Sequence, residues 1–386
     1  MTFTSLALIV LVGLVGPLVS WRSAGRVPLV VGELLVGALL GASGIGALRA
    51  DEPTFAFLGQ VGFALVMFVA GSKVPMGDAA LRSGVRRGGL RVGLVAAAAL
   101  IVGPVVASVF DTGHGLLYAV ILASSSAALI LPVLSEAGKG ARGSRHYASL
   151  VAQVAVADIL CIIALPLVIG TDTARAVLGV AVVVAAATLM FLALRWAERS
   201  GWRRRVHRIS EEHEFVIELR VALGLLFTLA ALASSMEVTV MLAGFALGLV
   251  VAKVGEPRRV AKQMFAITEG FGGPLFFIWL GASLNLHDLL DHSSAIVLGL
   301  SLGGAALACH ALGGVVGQPW SLAALTCAQL GVPVAAVTIA GRAGMLRPGE
   351  AAAILLGALI TVAVTTIVSG RARAALAAVP AGPTNE

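Results

Sequence analysis

An all-α polytopic membrane protein is the fold class this 386-residue chain predicts, and three observations predict it. The composition is 59% hydrophobic and only 12% charged, with a mean hydropathy of +0.99, whereas a soluble domain carries roughly 25% charged residues. The apolar residues fall in runs of ~20, the helical length that crosses a ~30 Å hydrocarbon core. Lys and Arg gather in alternate loops between the runs, so the formal charge of +7 encodes topology and not a nucleic-acid patch.

Hydropathy and punctuation place about thirteen spans, at roughly 3–20, 28–48, 55–75, 90–110, 115–137, 148–170, 174–196, 215–235, 238–254, 264–286, 294–317, 321–343 and 350–370. The first has no basic n-region and is followed by Arg22 and Arg26, so it reads as a retained helix and not as a cleaved signal peptide. The odd loops carry the cations: Arg22 and Arg26; Lys73, Arg82, Arg86, Arg87 and Arg91; Lys139, Arg142 and Arg145; the run 195–208; and the run 253–262. The alternate loops hold only Arg49, Arg175, Arg342 and Arg347. The odd loops are therefore expected in the cytoplasm, with the N-terminus outside and the C-terminus inside.

The longest polar stretch, 199–214 (RSGWRRRVHRISEEHE), reads as a connector on the cytoplasmic surface of the lipid bilayer. It divides the chain into a first six-helix repeat (1–170), a linking helix and connector (171–213), a second repeat (214–371) and a short cytoplasmic tail (372–386). Segment 63–74 (FALVMFVAGSKV) parallels 274–285 (PLFFIWLGASLN), and 33–41 (ELLVGALLG) parallels 241–248 (MLAGFALG). Repeats offset by seven spans lie in the membrane with opposite orientation, which is the inverted-repeat plan of secondary transporters.

A lone carboxylate, Asp158, sits in the middle of the apolar run 148–170 (ASLVAQVAVADILCIIALPLVIG). Such a charge costs a few kcal/mol on insertion scales, so the residue reads as an ion or proton site, or else as a cap or ion-pair partner of a broken helix. Two spans in corresponding positions are interrupted. The fifth contains 123–132 (ASSSAALILP), with three serines before Pro132, and the twelfth contains 328–333 (AQLGVP), with Gly331 and Pro333. Both patterns weaken bonding to the preceding turn, and paired breaks point to a mid-membrane site, although a pair of ordinary kinks has the same signature.

With these features in place, the chain resembles a cation/proton antiporter of the sodium/proton exchanger superfamily, in its bacterial second branch (the monovalent cation:proton antiporter-2 type). Segment 28–44 (PLVVGELLVGALLGASG) is similar to that family's second helix, and 122–138 (LASSSAALILPVLSEAG) to its crossing helix, with Ser125 and Ser126 where Thr-Ser is usual. Segment 214–283 ends in the family's Pro-Leu-Phe-Phe and Gly run, here 274–277 and Gly281. The resemblance implies that Asp158 is the ion-binding aspartate, holding a proton or a dehydrated Na⁺ or K⁺ but not both, with Ser125, Ser126 and broken-helix carbonyls as further oxygens. Gln153, one and a half turns earlier, faces another side. A homodimer and an elevator-like movement are implied as well, with spans four to six and eleven to thirteen as the moving core.

Two positions depart from the pattern. Ala157 stands where the family usually has Asp, Asn or Gln, which makes one proton per cycle the expectation. His310 stands where a basic residue balances the broken-helix dipoles; it reads either as a proton carrier or as a neutral histidine bonded to a helix carbonyl. Together they leave open a transport-degenerate homologue acting as a membrane sensor or accessory subunit. Glu33, Glu218 and Glu269 read as funnel residues or structural ion pairs, and Glu269, before Gly270 and 272–274 (GGP), marks a further helix break. Glu218 and Arg220, two apart, point to different faces. Cys161, Cys309 and Cys327 lack metal-ligand spacing. No Gly-x-Ser-x-Gly, His-Glu-x-x-His or Cys-x-x-Cys motif is present, so neither an enzyme nor a cofactor is expected.

Overall fold

The computed structural model describes residues 1–22, 29–74, 79–135, 145–169, 173–202, 215–255, 258–284 and 293–377, with isolated residues between 203 and 214 and between 285 and 292. Loop charges such as Lys139 and Arg142, most of the connector 203–214 and the tail beyond Ala377 lie outside the described residues.

The helices run α1 (Phe3–Gly13), α2 (Val15–Arg22), α3 (Leu29–Leu40), α4 (Pro53–Ser72), α5 (Ala79–Val109), α6 (Gly115–Ala123), α7 (Ala127–Ser135), α8 (Arg145–Ile169), α9 (Thr173–Arg199), α10 (Ile217–Ser235), α11 (Val240–Val254) and α12 (Arg258–Ile267). After a π turn (Thr268–Gly272) come α13 (Gly273–Ser283) and α14 (Ser293–Ala311); after a 3₁₀ turn (Leu312–Val316) come α15 (Trp320–Leu325), α16 (Gly331–Arg342) and α17 (Glu350–Ala377). The described residues contain no strand. Nine of their helical stretches are long and apolar enough to cross a membrane, and the shorter apolar helices Leu29–Leu40, Gly115–Leu131, Val240–Val254 and Gly331–Gly341 accompany them. Large apolar side chains such as Leu14, Ile101 and Leu189 point outward, as hydrocarbon solvent permits.

The chain folds into two compact units. One gathers Met1–Val10, Glu52–Gly77 and Gly170–Phe277, the other Leu11–Asp51, Asp78–Ile169 and Ile278–Glu386. In the first unit α4 packs along α11 through a Gly-x-x-x-Gly pair. A Cβ on Gly244 would collide with the Ala64 carbonyl, and one on Gly248 with the Phe68 carbonyl. Small residues let the two backbones approach where no hydrophobic effect drives helices together in lipid. Phe63 stacks on Phe276, with ring centroids 4.5 Å apart.

The break expected around Glu269 takes a milder form. The helix passes through a π turn in which the Gly273 N–H donates to the Thr268 carbonyl, and then continues as α13. One wide turn absorbs Pro274, which has no N–H to donate, without ending the helix.

In the second unit α5 pairs with α8 and α14 with α17. Glu350, the first residue of α17, ties the turn between α5 and α6 to this pair. Its carboxylate accepts from Tyr118 Oη at 2.6 Å and from the Arg347 N–H at 2.9 Å, and lies 2.6 Å from His114 Nδ1. The carboxylate is buried and sits at the N-terminus of α17.

Gly248→Leu should therefore cost about 1–3 kcal/mol of stability by overpacking, seen as a lower melting temperature in detergent. Gly224→Ala, with open space around its Cα, should leave that temperature unchanged.

Candidate functional site

Both interrupted spans are truly broken. The first gap is 124–126, where the Ser124 hydroxyl returns to the Ile121 carbonyl at 2.7 Å and the backbone turns extended (ψ 151°). Serine hydroxyls compete for backbone partners in this way, so the serines open the gap and Pro132 lies downstream, inside α7. The second gap separates Thr326, which caps α15, from Leu330, which precedes α16. Gly331 and Pro333 occupy the first turn of α16, where a missing N–H costs nothing.

The two gaps meet. The Ser126 N–H donates to the Ala328 carbonyl at 2.7 Å, and Gln329 Nε2 donates to the Leu122 carbonyl at 3.4 Å. The Gln329 N–H donates to Thr361 Oγ1 at 3.1 Å. Each broken segment thus satisfies backbone groups of the other, as burial away from water requires.

Helix α8 reaches both gaps. Asp158, only 5% exposed, accepts from the Ala127 N–H at 3.0 Å, so its carboxylate caps the N-terminal end of half-helix α7. Ser125 is fully buried, and its Oγ has no hydrogen-bond partner among the described residues. An orphaned hydroxyl two residues before the carboxylate's contact is a ready oxygen ligand.

Gln153, on another face of α8, serves the second gap. Its Nε2 donates to Thr326 Oγ1 at 3.4 Å, and its Oε1 accepts from Gln318 Nε2 at 3.1 Å. His310, 1% exposed, places Nδ1 at 2.9 Å from the same Thr326 oxygen. The backbone carbonyls of Leu122 and Ser124, at the end of α6, also act on its ring. The histidine is therefore lodged between the two gaps.

The other candidate carboxylates have surroundings of their own. Glu33 is buried in α3, its Cγ filling the space a Cβ on Gly16 would need. Glu218, in the first turn of α10, borders an apolar cavity with Leu225 and Val251. Glu269 lies in the π turn and attracts Lys73, whose ammonium rests 5.0 Å from the Phe265 ring centre. Cys161, Cys309 and Cys327 are buried free thiols. The sequence reading missed Thr326, Gln329 and Gln318. Their one available signal was that polar residues cluster at and before the second break.

Apolar spans, two helices broken where they cross, and a buried carboxylate capping one half-helix are the build of a secondary transporter. The model of the sodium/hydrogen exchanger family, transmembrane, matches residues 7–373, and the chain belongs to that family. Its fold is that of the sodium proton antiporter MjNhaP1 of Methanocaldococcus jannaschii, with a TM-score of 0.67, 17% identity and 99% of each chain covered. A protein of Bacillus subtilis named as a candidate Na(+)/H(+) antiporter, YjbQ, is 22% identical over 310 residues, 76% of this chain and 49% of its own length. The Na(+)/H(+) antiporter NhaS5 of Synechocystis is 28% identical over 295 residues, 72% of this chain and 40% of its own length. The chain thus spans half or less of these curated relatives.

Gln153→Leu would strand the amide of the buried Gln318 and remove a donor from Thr326. It should destabilise the folded protein by about 1–3 kcal/mol, read as a lower melting temperature, whereas Gln153→Glu tests the charge at the same shape.

Proposed function

We propose that this membrane protein exchanges a monovalent cation, Na⁺ or K⁺, for protons by alternating access at Asp158, as a member of the family's bacterial second branch. One observation carries the reading: a buried carboxylate held by the Ala127 N–H, two residues on from a Ser125 hydroxyl that has no hydrogen-bond partner among the described residues. A carboxylate withdrawn from water needs a positive partner, and a proton and a dehydrated cation compete for the same oxygens. Competition at one site, opened in turn to each face, couples the two fluxes without further machinery. Ala157 leaves a single carboxylate, which supports one proton per cycle. Ser125, Ser126 and carbonyls of the first gap supply the remaining oxygens that hard cations prefer.

The charge pattern of the loops supports insertion in a bacterial plasma membrane with the N-terminus outside and the C-terminus in the cytoplasm. Family membership supports a homodimer, two inverted repeats and an elevator-like core. A second reading, a transport-degenerate sensor or accessory subunit, is favoured by Ala157 and His310 standing at the two positions where the resemblance calls for polar and basic residues.

In proteoliposomes with an inside-acid gradient, Na⁺ or K⁺ should drive proton release from the wild type, and Asp158→Asn should abolish it while folding stays intact. Exchange at the parental rate in that variant would sink the single-carboxylate mechanism. No response from folded wild-type protein to Na⁺, K⁺ or Li⁺ between about pH 6 and 9, the range around neutrality where exchange is expected, would favour the degenerate reading. Ser125→Ala should raise the cation concentration for half-maximal exchange several-fold with little change in melting temperature.

A further inference from the structure

We propose that Thr326 is a positioning residue for the proton on His310: its hydroxyl selects which ring nitrogen is protonated, and so ties the second helix break to the carbonyl end of the first. The inference concerns a residue that the exchange reading does not use, and only its transport arm rests on that reading.

Counting donors and acceptors carries the argument. The Thr326 hydroxyl donates to the Ala323 carbonyl at 2.7 Å, and its oxygen accepts from Gln153 Nε2. In that arrangement only a protonated Nδ1 can bond to it, at the observed 2.9 Å. The ring's other nitrogen, Nε2, then has no hydrogen-bond partner among the described residues. The carbonyls of Leu122 and Ser124 lie near the ring and can only accept, so a proton on Nε2 would have acceptors, whereas a bare Nε2 has no donor.

Rotating the Thr326 hydroxyl allows that protonation. When it donates to a bare Nδ1 instead, the ring proton moves to Nε2 and serves the carbonyls at the end of α6. The Ala323 carbonyl keeps its bond from the Thr326 N–H at 3.1 Å, so the rotation strands no backbone group. A doubly protonated ring satisfies both sides at once. Three proton states are thus available with one rotor, and Thr326 is the only side chain bonded to Nδ1 among the described residues.

Other charged and titratable groups sit on the elements packed against α14. The elements packed on α14 carry Arg82, Arg86, Arg87 and Arg91 on α5, Tyr118 on α6, and Glu350, Arg371 and Arg373 on α17. The 3₁₀ turn and α15 carry none. Arg91 donates to Ser149 at 3.0 Å, Tyr118 is engaged by Glu350, and Arg371 lies over the Trp320 ring. The thiols of Cys309 and Cys327 adjoin His310 and Thr326 in sequence, and the Asp158 carboxylate lies on α8 at the first gap.

The test uses ¹⁵N-histidine-labelled full-length protein in detergent, with the His310 signals assigned by their loss in His310→Gln. Thr326→Val should remove the hydrogen-bonded signature of Nδ1 and leave a single neutral tautomer protonated at Nε2, while Thr326→Ser keeps the wild-type spectrum. An unchanged His310 spectrum in a folded Thr326→Val protein would overturn the proposal, and so would a Thr326→Ser spectrum that matches Thr326→Val. In proteoliposomes, Thr326→Val should shift the pH profile of exchange, with no further shift when His310→Gln is already present. An additive shift in the double variant would also overturn it. The spectra are independent of transport, so a wild type that exchanges no cation would count against the exchange reading while the resonances still decide the role of Thr326.

Discussion

Two helices broken inside a bilayer leave amide and carbonyl groups that neither water nor lipid can satisfy, and the second unit is arranged around that constraint. Every unsatisfied backbone group in hydrocarbon costs several kcal/mol, so the breaks are tolerable only where protein groups fill them. The two gaps fill each other, through Ser126 to Ala328 and Gln329 to Leu122. What the crossing leaves over is met in part by a side chain, Asp158 at the amide end of α7, while His310 lies near the carbonyl end of α6.

The same constraint gives α8 a part at both gaps. It carries one polar residue toward each gap, Asp158 to the first and Gln153 to the second. Five residues separate them, so they point to different faces of one rigid rod.

Much of this was legible in the sequence because its signals are local. Apolar runs, alternating loop charge, the serine triplet and the lone Asp158 all act within one or two turns. The exact seat of each break was less legible. Pro132, Gly331 and Pro333 looked like breakers beside the serine triplet, but the serines and Thr326 end the helices, while Gly331 and Pro333 fall in the first turn of α16 and Pro132 lies inside α7. Around Glu269 the same kind of signal overstated the break, because a π turn can swallow one irregularity. The polar network was illegible for a different reason. Gln153 and Thr326 lie 173 residues apart, and Tyr118 and Glu350 lie 232 apart. Nothing in a single sequence pairs residues at such separations.

Competition between a proton and a cation for the Asp158 oxygens is the centre of this account, and it can be measured without transport. Weakly buffered, detergent-solubilised protein would be titrated with Na⁺ and with K⁺ while proton release is followed with a pH indicator, beside Asp158→Asn. The account predicts about one proton released per cation bound to the wild type, and none from the variant. Cation binding to the wild type without proton release, or equal release from Asp158→Asn, would contradict it.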